Sequence, residues 1–274
     1  MWGAIIGDIA GSPYEYSRTK VPAGNFDLFP PEANYTDDTL MTLAVYAGLK
    51  AADGDVAKGP EAVAEAMRHF GRTYNLPCGG YGGGFWKWLH SDEPHPYNSF
   101  GNGSAMRVSS VGWLFGTLAE TLQWAEITAA VTHNHPEGIK GAQGTAAAIY
   151  LARTGATKDQ ISDDIQTRFG YDLSHTWGQV EAGDTSGMAC QNTVPEALAC
   201  FKESSSFEHC IRLAIRLNYD TDTRAAIAGS IAEAYYGIQN HSLKDAVITR
   251  LNPDLKNLLD DFDNTRDALP HPRS

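Results

Sequence analysis

The chain is poor in cysteine, poor in positive charge and without a long apolar run. Its four cysteines, Cys78, Cys190, Cys200 and Cys210, form no CxxC pair. That spacing argues against a disulfide framework and points to reduced thiols in a cytoplasmic protein. No apolar stretch approaches the ~18 residues of a membrane span. The first apolar residues are interrupted by Asp8 and follow no Lys or Arg, so a secretion signal is not expected. Lys plus Arg total 21 against 33 Asp plus Glu, a formal charge of −12. With no basic run to offset it, this charge excludes a general nucleic-acid or anionic-membrane binder. A G-x-S-x-G elbow is absent, as is any cysteine in a nucleophile motif, so covalent Ser or Cys chemistry has no support. The glycine cluster at 79–84 lacks a GK[ST] ending and a preceding strand, which argues against a P-loop or a Rossmann turn.

What is present is a globular composition. Of 274 residues 42% are hydrophobic and 20% charged, enough to bury a sizeable core. Most of the chain carries helical rather than alternating periodicity. The spacing predicts helices at about 2–12, 36–50, 60–74, 103–115, 117–131, 136–153, 158–169, 195–203, 206–217, 222–236, 243–250 and 253–262. The expected fold is all-α, one multi-helix domain over residues 1–265, with 266–274 as a C-terminal tail. The stretch 79–84 reads as a flexible loop.

Two short acidic motifs stand far apart in sequence, each at a helix start. One is Tyr35-Thr36-Asp37-Asp38-Thr39 and the other Asp220-Thr221-Asp222-Thr223. A single Asp or Thr there is an ordinary N-cap, favoured also by the helix dipole. Two close carboxylates exceed what a cap needs, and they repel unless protons or cations intervene. The same grammar at both places suggests an all-oxygen metal site selecting Mg²⁺, Mn²⁺ or Ca²⁺. An EF-hand starting at Asp220 is excluded, because Ala225 and Ile231 occupy its glycine and glutamate positions. A third acidic locus runs from Asp8 to Glu15. Gly7 and Gly11 leave one face of its helix bare for close packing, and Asp8 on so apolar a helix demands a partner.

Two further segments carry polar groups. Gly101-Asn102-Gly103-Ser104 precedes Arg107 at a helix start, where backbone N–H groups can face an anion. His133 and His135 are two apart, which is not the spacing of a zinc helix.

In order, these segments are Gly-Ala-Ile-Ile-Gly-Asp-Ile-Ala-Gly-Ser-Pro-Tyr-Glu, Thr-Asp-Asp-Thr, Gly-Asn-Gly-Ser-Ala-Met-Arg, Thr-His-Asn-His-Pro and Asp-Thr-Asp-Thr-Arg. Together they resemble the ADP-ribosylglycohydrolase family over about residues 2–237. The resemblance implies an all-α fold with a cleft holding two divalent cations, Mg²⁺ or Mn²⁺. It implies Thr36, Asp37, Asp38, Asp220, Asp222 and Thr223 as metal ligands. Glu15 matches the family's glutamate beside the metals and becomes the acid/base candidate, with Asp37 and Asp222 the other catalytic residues. Gly101, Asn102, Gly103, Ser104 and His133 are implied to line the ADP-ribose cleft, with Tyr81, Phe85 or Trp86 available for stacking. The implied reaction is hydrolysis at C1″ of a mono-ADP-ribosylated protein, small molecule or nucleobase. A cytoplasmic monomer is expected. One departure stands out: Asn218-Tyr219 replaces the small pair, often Gly-Gly, that usually precedes the family's Asp-x-Asp. Arg224 also follows that motif directly. The rival functions are a non-catalytic ADP-ribose-binding or structural relative and another two-metal nucleotide hydrolase.

Overall fold

In the computed structural model the described residues are 1–17, 21, 24 and 26–269. Among them fifteen α-helices follow one another, and no strand forms. They are α1 (Trp2–Gly11), α2 (Asp37–Ala52), α3 (Gly59–Thr73), α4 (Gly83–His90), α5 (Gly103–Met106), α6 (Ser109–Leu114), α7 (Leu118–Ala130) and α8 (Pro136–Arg153). Then come α9 (Lys158–Phe169), α10 (Trp177–Ala182), α11 (Cys190–Glu203), α12 (Phe207–Ile215), α13 (Thr221–Tyr236), α14 (His241–Ile248) and α15 (Pro253–Asp267). A single apolar core runs through them from Met1 to Phe262. The all-α single-domain expectation is borne out, and no helix among the described residues is long and apolar enough to cross a membrane. Residues 270–274 of the expected tail lie outside the described residues.

Local chemistry explains most of the boundaries. Thr117, Thr157 and Thr176 begin α7, α9 and α10 with capping boxes, closed by Glu120, Gln160 and Gln179. Gly170 ends α9 in the left-handed conformation that favours glycine. Three expectations are corrected. Residues 83–90 form a helix rather than extending the glycine loop, because Phe85, Trp88 and Leu89 bury one face against the core. Residues 103–115 split into α5 and α6 at Arg107 and Val108. Helix α11 begins at Cys190, five residues before the expected start at Pro195, so that proline lies inside the helix.

The centre of the molecule is the pairing of α1 with α13. A methyl on Gly3 would lie 2.1 Å from the Gly229 carbonyl oxygen, and one on Gly7 2.0 Å from that of Ala225. One on Gly11 would lie 2.5 Å from Cα of Asp222. A glycine stripe every fourth residue therefore lets α1 lie backbone to backbone along α13. The small face of α8 works alike, with Gly141 seated against Cys190.

Candidate active site

The close contact of α1 with α13 brings the two acidic motifs together. Asp8, fully buried on α1, accepts from the backbone N–H of Thr36 and Thr39, both at 3.0 Å. It also accepts from their hydroxyls, at 2.7 and 2.5 Å. Asp8 thus satisfies two amide donors at the α2 N-terminus from a neighbouring helix. One turn further, Gly11 abuts Asp222, and its carbonyl accepts from Thr221 Oγ1 at 2.8 Å. Helix α1 thereby fixes the starts of both α2 and α13.

A cleft of about 450 Å³ opens where those starts meet. Glu15, Asp37, Asp38, Asp220, Asp222 and Thr223 line one side of it. One carboxylate oxygen each from Glu15, Asp220 and Asp222 lie within 4.8 Å of one another, a group that could hold a metal ion. Thr223 donates to Asp38 Oδ2 at 3.2 Å, tying α13 to α2. The remaining oxygens Asp38 Oδ1 and Asp222 Oδ1 are buried without a hydrogen-bond partner. Burial, then the charge of Asp8, pushes Asp37 up to about 8. Burial, then Asp220, pushes Glu15 up to about 7. Asp38 and Asp222 are driven well above the carboxylate range by burial, with Asp222 and Asp220 the next causes respectively. Buried like charges with orphaned oxygens fit a hard cation. Thr36 stands elsewhere: its buried hydroxyl donates to Asp8 and accepts from the Asp38 N–H, so it builds the helix cap rather than the cleft wall.

The segment before Asp222 is held from behind. Arg224 is buried and turned away from the cleft. It pairs with Glu196 at 2.5 Å and donates to the carbonyls of Asn218 (2.8 Å), Asp220 (3.2 Å) and Thr185. Asn218 and Tyr219 both have φ of +61°, the left-handed region where glycine is the unstrained choice. Tyr219 packs edge-on against Tyr16 at 5.1 Å, and its carbonyl accepts from the Tyr16 N–H at 2.7 Å. The non-glycine pair therefore keeps the backbone shape that glycines favour. Tyr219 stands beside the rim, while Tyr16 itself lines the cleft and donates to Met188 Sδ at 3.2 Å.

The opposite side of the cleft is built by α4, α5 and the residues before α8. Gly101, Asn102, Gly103 and His133 line it, as do Tyr81 and Phe85. Trp86 does not; it is exposed and stacks on His90. Ser104 is also absent from the wall, its hydroxyl donating to the Gly138 carbonyl at 2.7 Å. Two of the expected backbone donors are already engaged. The Gly101 amide donates to Ser99 Oγ and the Asn102 amide to the Met188 carbonyl. The Asn102 side chain instead donates to Asp220 Oδ2 at 2.5 Å, bridging the two sides. His135 caps α8 by accepting from the Glu137 N–H, which leaves His133 as the histidine of the cleft. Residue-level reading missed Tyr16, Tyr97, Ser99 and Met188 in the wall. Arg107, also in the wall, had its signal in the Gly-Asn-Gly-Ser-Ala-Met-Arg motif; Met188 had none. A second, larger cavity of about 570 Å³ lies between α11 and the 170–184 segment that carries α10. It mixes Lys140, His175 and Lys202 with Asp172, Asp184 and Glu196, and it contains none of the paired carboxylates.

The family model for ADP-ribosylglycohydrolases matches residues 1–270. The chain belongs to that family. This glycohydrolase is 27% identical over 310 residues to the ADP-ribosylhydrolase ARH3 of Homo sapiens, covering 86% of this chain and 84% of that protein. It is 27% identical over 263 residues to the ADP-ribosylarginine hydrolase Tri1 of Pseudomonas putida, covering 86% and 69%. The ADP-ribosyl-(dinitrogen reductase) glycohydrolase of Rhodospirillum rubrum is 24% identical over 267 residues, covering 87% and 84%. A solved structure described as an ADP-ribosylglycohydrolase-related protein complex superposes with a TM-score of 0.67 over 97% of both chains at 22% identity, which supports the fold. The glycohydrolase is thus a hydrolase by family, and its cleft is lined by carboxylates from both acidic helix starts.

Proposed function

We propose that this glycohydrolase cleaves the glycosidic bond at C1″ of mono-ADP-ribosylated substrates and releases ADP-ribose. The carrying observation is the convergence of Glu15, Asp37, Asp38, Asp220 and Asp222 on one cleft from opposite ends of the chain. Asp37, Asp38, Asp220, Asp222 and Thr223 would hold divalent cations, Mg²⁺ or Mn²⁺, with Glu15 close enough to Asp220 and Asp222 to share one. Such cations would supply positive charge to the cleft and acidify bound water.

Water adds its oxygen to C1″, the C1″–N or C1″–O bond breaks, and the acceptor leaves with a proton. Glu15 is the general base: its carboxylate lines the cleft half-buried beside Asp220 and Asp222. The oxocarbenium character of the transition state is favoured by the surrounding carboxylates. His133, Gly103 and the aromatic pair Tyr81 and Phe85 would receive the rest of ADP-ribose. Tyr219 stands beside Tyr16 rather than in the cleft wall, so the Asn218-Tyr219 departure leaves room for the ligand.

A panel of mono-ADP-ribosylated arginine, serine and nucleobase conjugates, incubated with Mg²⁺ or Mn²⁺ and read by mass spectrometry, tests this. Free ADP-ribose from at least one conjugate is expected. Nucleoside monophosphate or inorganic phosphate as product would assign a different hydrolysis. ADP-ribose binding with no conjugate cleaved would assign a binding protein.

A further inference from the structure

We propose that Arg107 and Thr132 act as positioning residues that fix the tautomer of His133, so that Nε2 carries the proton and donates to an acceptor oxygen of the ligand. Its ligand half rests on the function proposed above; the tautomer half does not.

Thr132 is fully buried between the other two side chains. Arg107 Nη2 donates to Thr132 Oγ1 at 2.8 Å and to the Thr128 carbonyl at 3.3 Å. Thr132 Oγ1 lies 2.7 Å from His133 Nδ1. Among the described residues these are the two partners of the hydroxyl. A guanidinium donates and never accepts. The single hydroxyl hydrogen of Thr132 therefore has one acceptor to reach, His133 Nδ1. Were Nδ1 protonated, Thr132 would face two donors and its own hydrogen would be buried without a partner. With Nδ1 accepting, the neutral ring carries its hydrogen on Nε2. Burial, then the Arg107 charge, holds the ring neutral.

The Nε2 edge faces the Gly-Asn-Gly turn. A methyl on Gly103 would stand 3.1 Å from His133 Nε2, and one on Gly101 3.7 Å away. Glycine at both places keeps that edge open to the cleft. Arg107 supplies a second, independent sign of a ligand with acceptor oxygens. It lines the cleft while buried, and its Nε has no hydrogen-bond partner. His133 Nε2 and Arg107 thus bring two donors to this corner, which suits a phosphoryl or hydroxyl oxygen.

The test is nitrogen NMR of ¹⁵N-imidazole-labelled, ligand-free protein, followed by calorimetry with ADP-ribose. In the unsubstituted protein His133 is expected to show a pyridine-type Nδ1 and a protonated Nε2. Thr132→Val should mix the tautomers and weaken ADP-ribose binding about fivefold. Thr132→Ser should restore both, with KM rather than kcat following the affinity. A protonated Nδ1 in the unsubstituted protein overturns the proposal, even if Thr132→Val does not fold. So does an unchanged nitrogen signature in a folded Thr132→Val. A protonated Nε2 in a protein that does not bind ADP-ribose would contradict the proposed function and leave the tautomer assignment standing.

Discussion

At one side of the cleft, the first turns of α2 and α13 face each other with Glu15, and their carboxylates raise one another's pKa. At the other side, Arg107 and His133 present donors, and the charge acting on the histidine is that of the arginine. Each side collects groups of one kind without the partners that would satisfy them. Asp38 Oδ1 and Asp222 Oδ1 lack a donor, and Arg107 Nε lacks an acceptor. The first deficit calls for cations and the second for an anionic or oxygen-rich ligand. The proposed substrate with divalent ions would answer both.

The two sides should separate experimentally. The largest effect belongs to the carboxylates. Asp37→Ala or Asp222→Ala should cut ADP-ribose release by about 10³-fold or more, and EDTA should do the same to the unsubstituted enzyme. Undiminished steady-state rates would remove those carboxylates from the chemistry. Next, Glu15→Gln should lower kcat about 10²-fold while ADP-ribose affinity stays within about twofold, as single-turnover kinetics and calorimetry would show. An unchanged kcat would strip Glu15 of its proton-transfer role. Smaller still, His133→Ala should weaken ADP-ribose binding about tenfold and leave cation affinity untouched. If cation affinity fell with it, the two sides would not be independent.

The smallest effect is on stability. In the cation-free protein Glu15 and Asp37 hold protons up to about 7 and about 8, whereas unfolded carboxylates release them near about 4. The folded state then binds more protons than the unfolded state across that window, so stability is greatest below it and falls as pH rises to about 8. Tm measured in EDTA should therefore decline from about pH 5 to about pH 8 by a few degrees. Mg²⁺ or Mn²⁺, replacing the protons, should flatten the decline. A Tm that rises with pH in EDTA would show these groups ionised without a cation.

The acidic motifs were legible because their chemistry exceeds the local need: one carboxylate caps a helix, and each motif brings two. The glycine spacing of α1 was legible for a similar reason, although its partner was not. That Gly11 meets Asp222, some two hundred residues on, is a tertiary fact. Thr36 shows the converse limit. In sequence it stands with the ligands, but Asp8 reaches over from α1 and turns its hydroxyl into part of the α2 cap. Helix α4 was hidden by the glycines that precede and open it, since glycine disfavours helix and the burial of Phe85 and Trp88 overrides that cost. Helix α10, by contrast, carried a readable capping box at Thr176 and Gln179 that periodicity alone passed over. Tyr219 stands where the family resemblance leads one to expect a small residue. Its left-handed backbone, held from behind by the contacts of Arg224 with neighbouring carbonyls, carries the ring to Tyr16 instead.

The central claim is that two helix starts far apart in sequence form one cation centre. Calorimetric titration of Mn²⁺ into EDTA-stripped protein, into Asp37→Ala on α2 and into Asp222→Ala on α13 tests it most directly. The account predicts saturable binding to the unsubstituted chain that either single substitution weakens at least about tenfold. Mn²⁺ affinity unchanged by Asp37→Ala, or by Asp222→Ala, would contradict it.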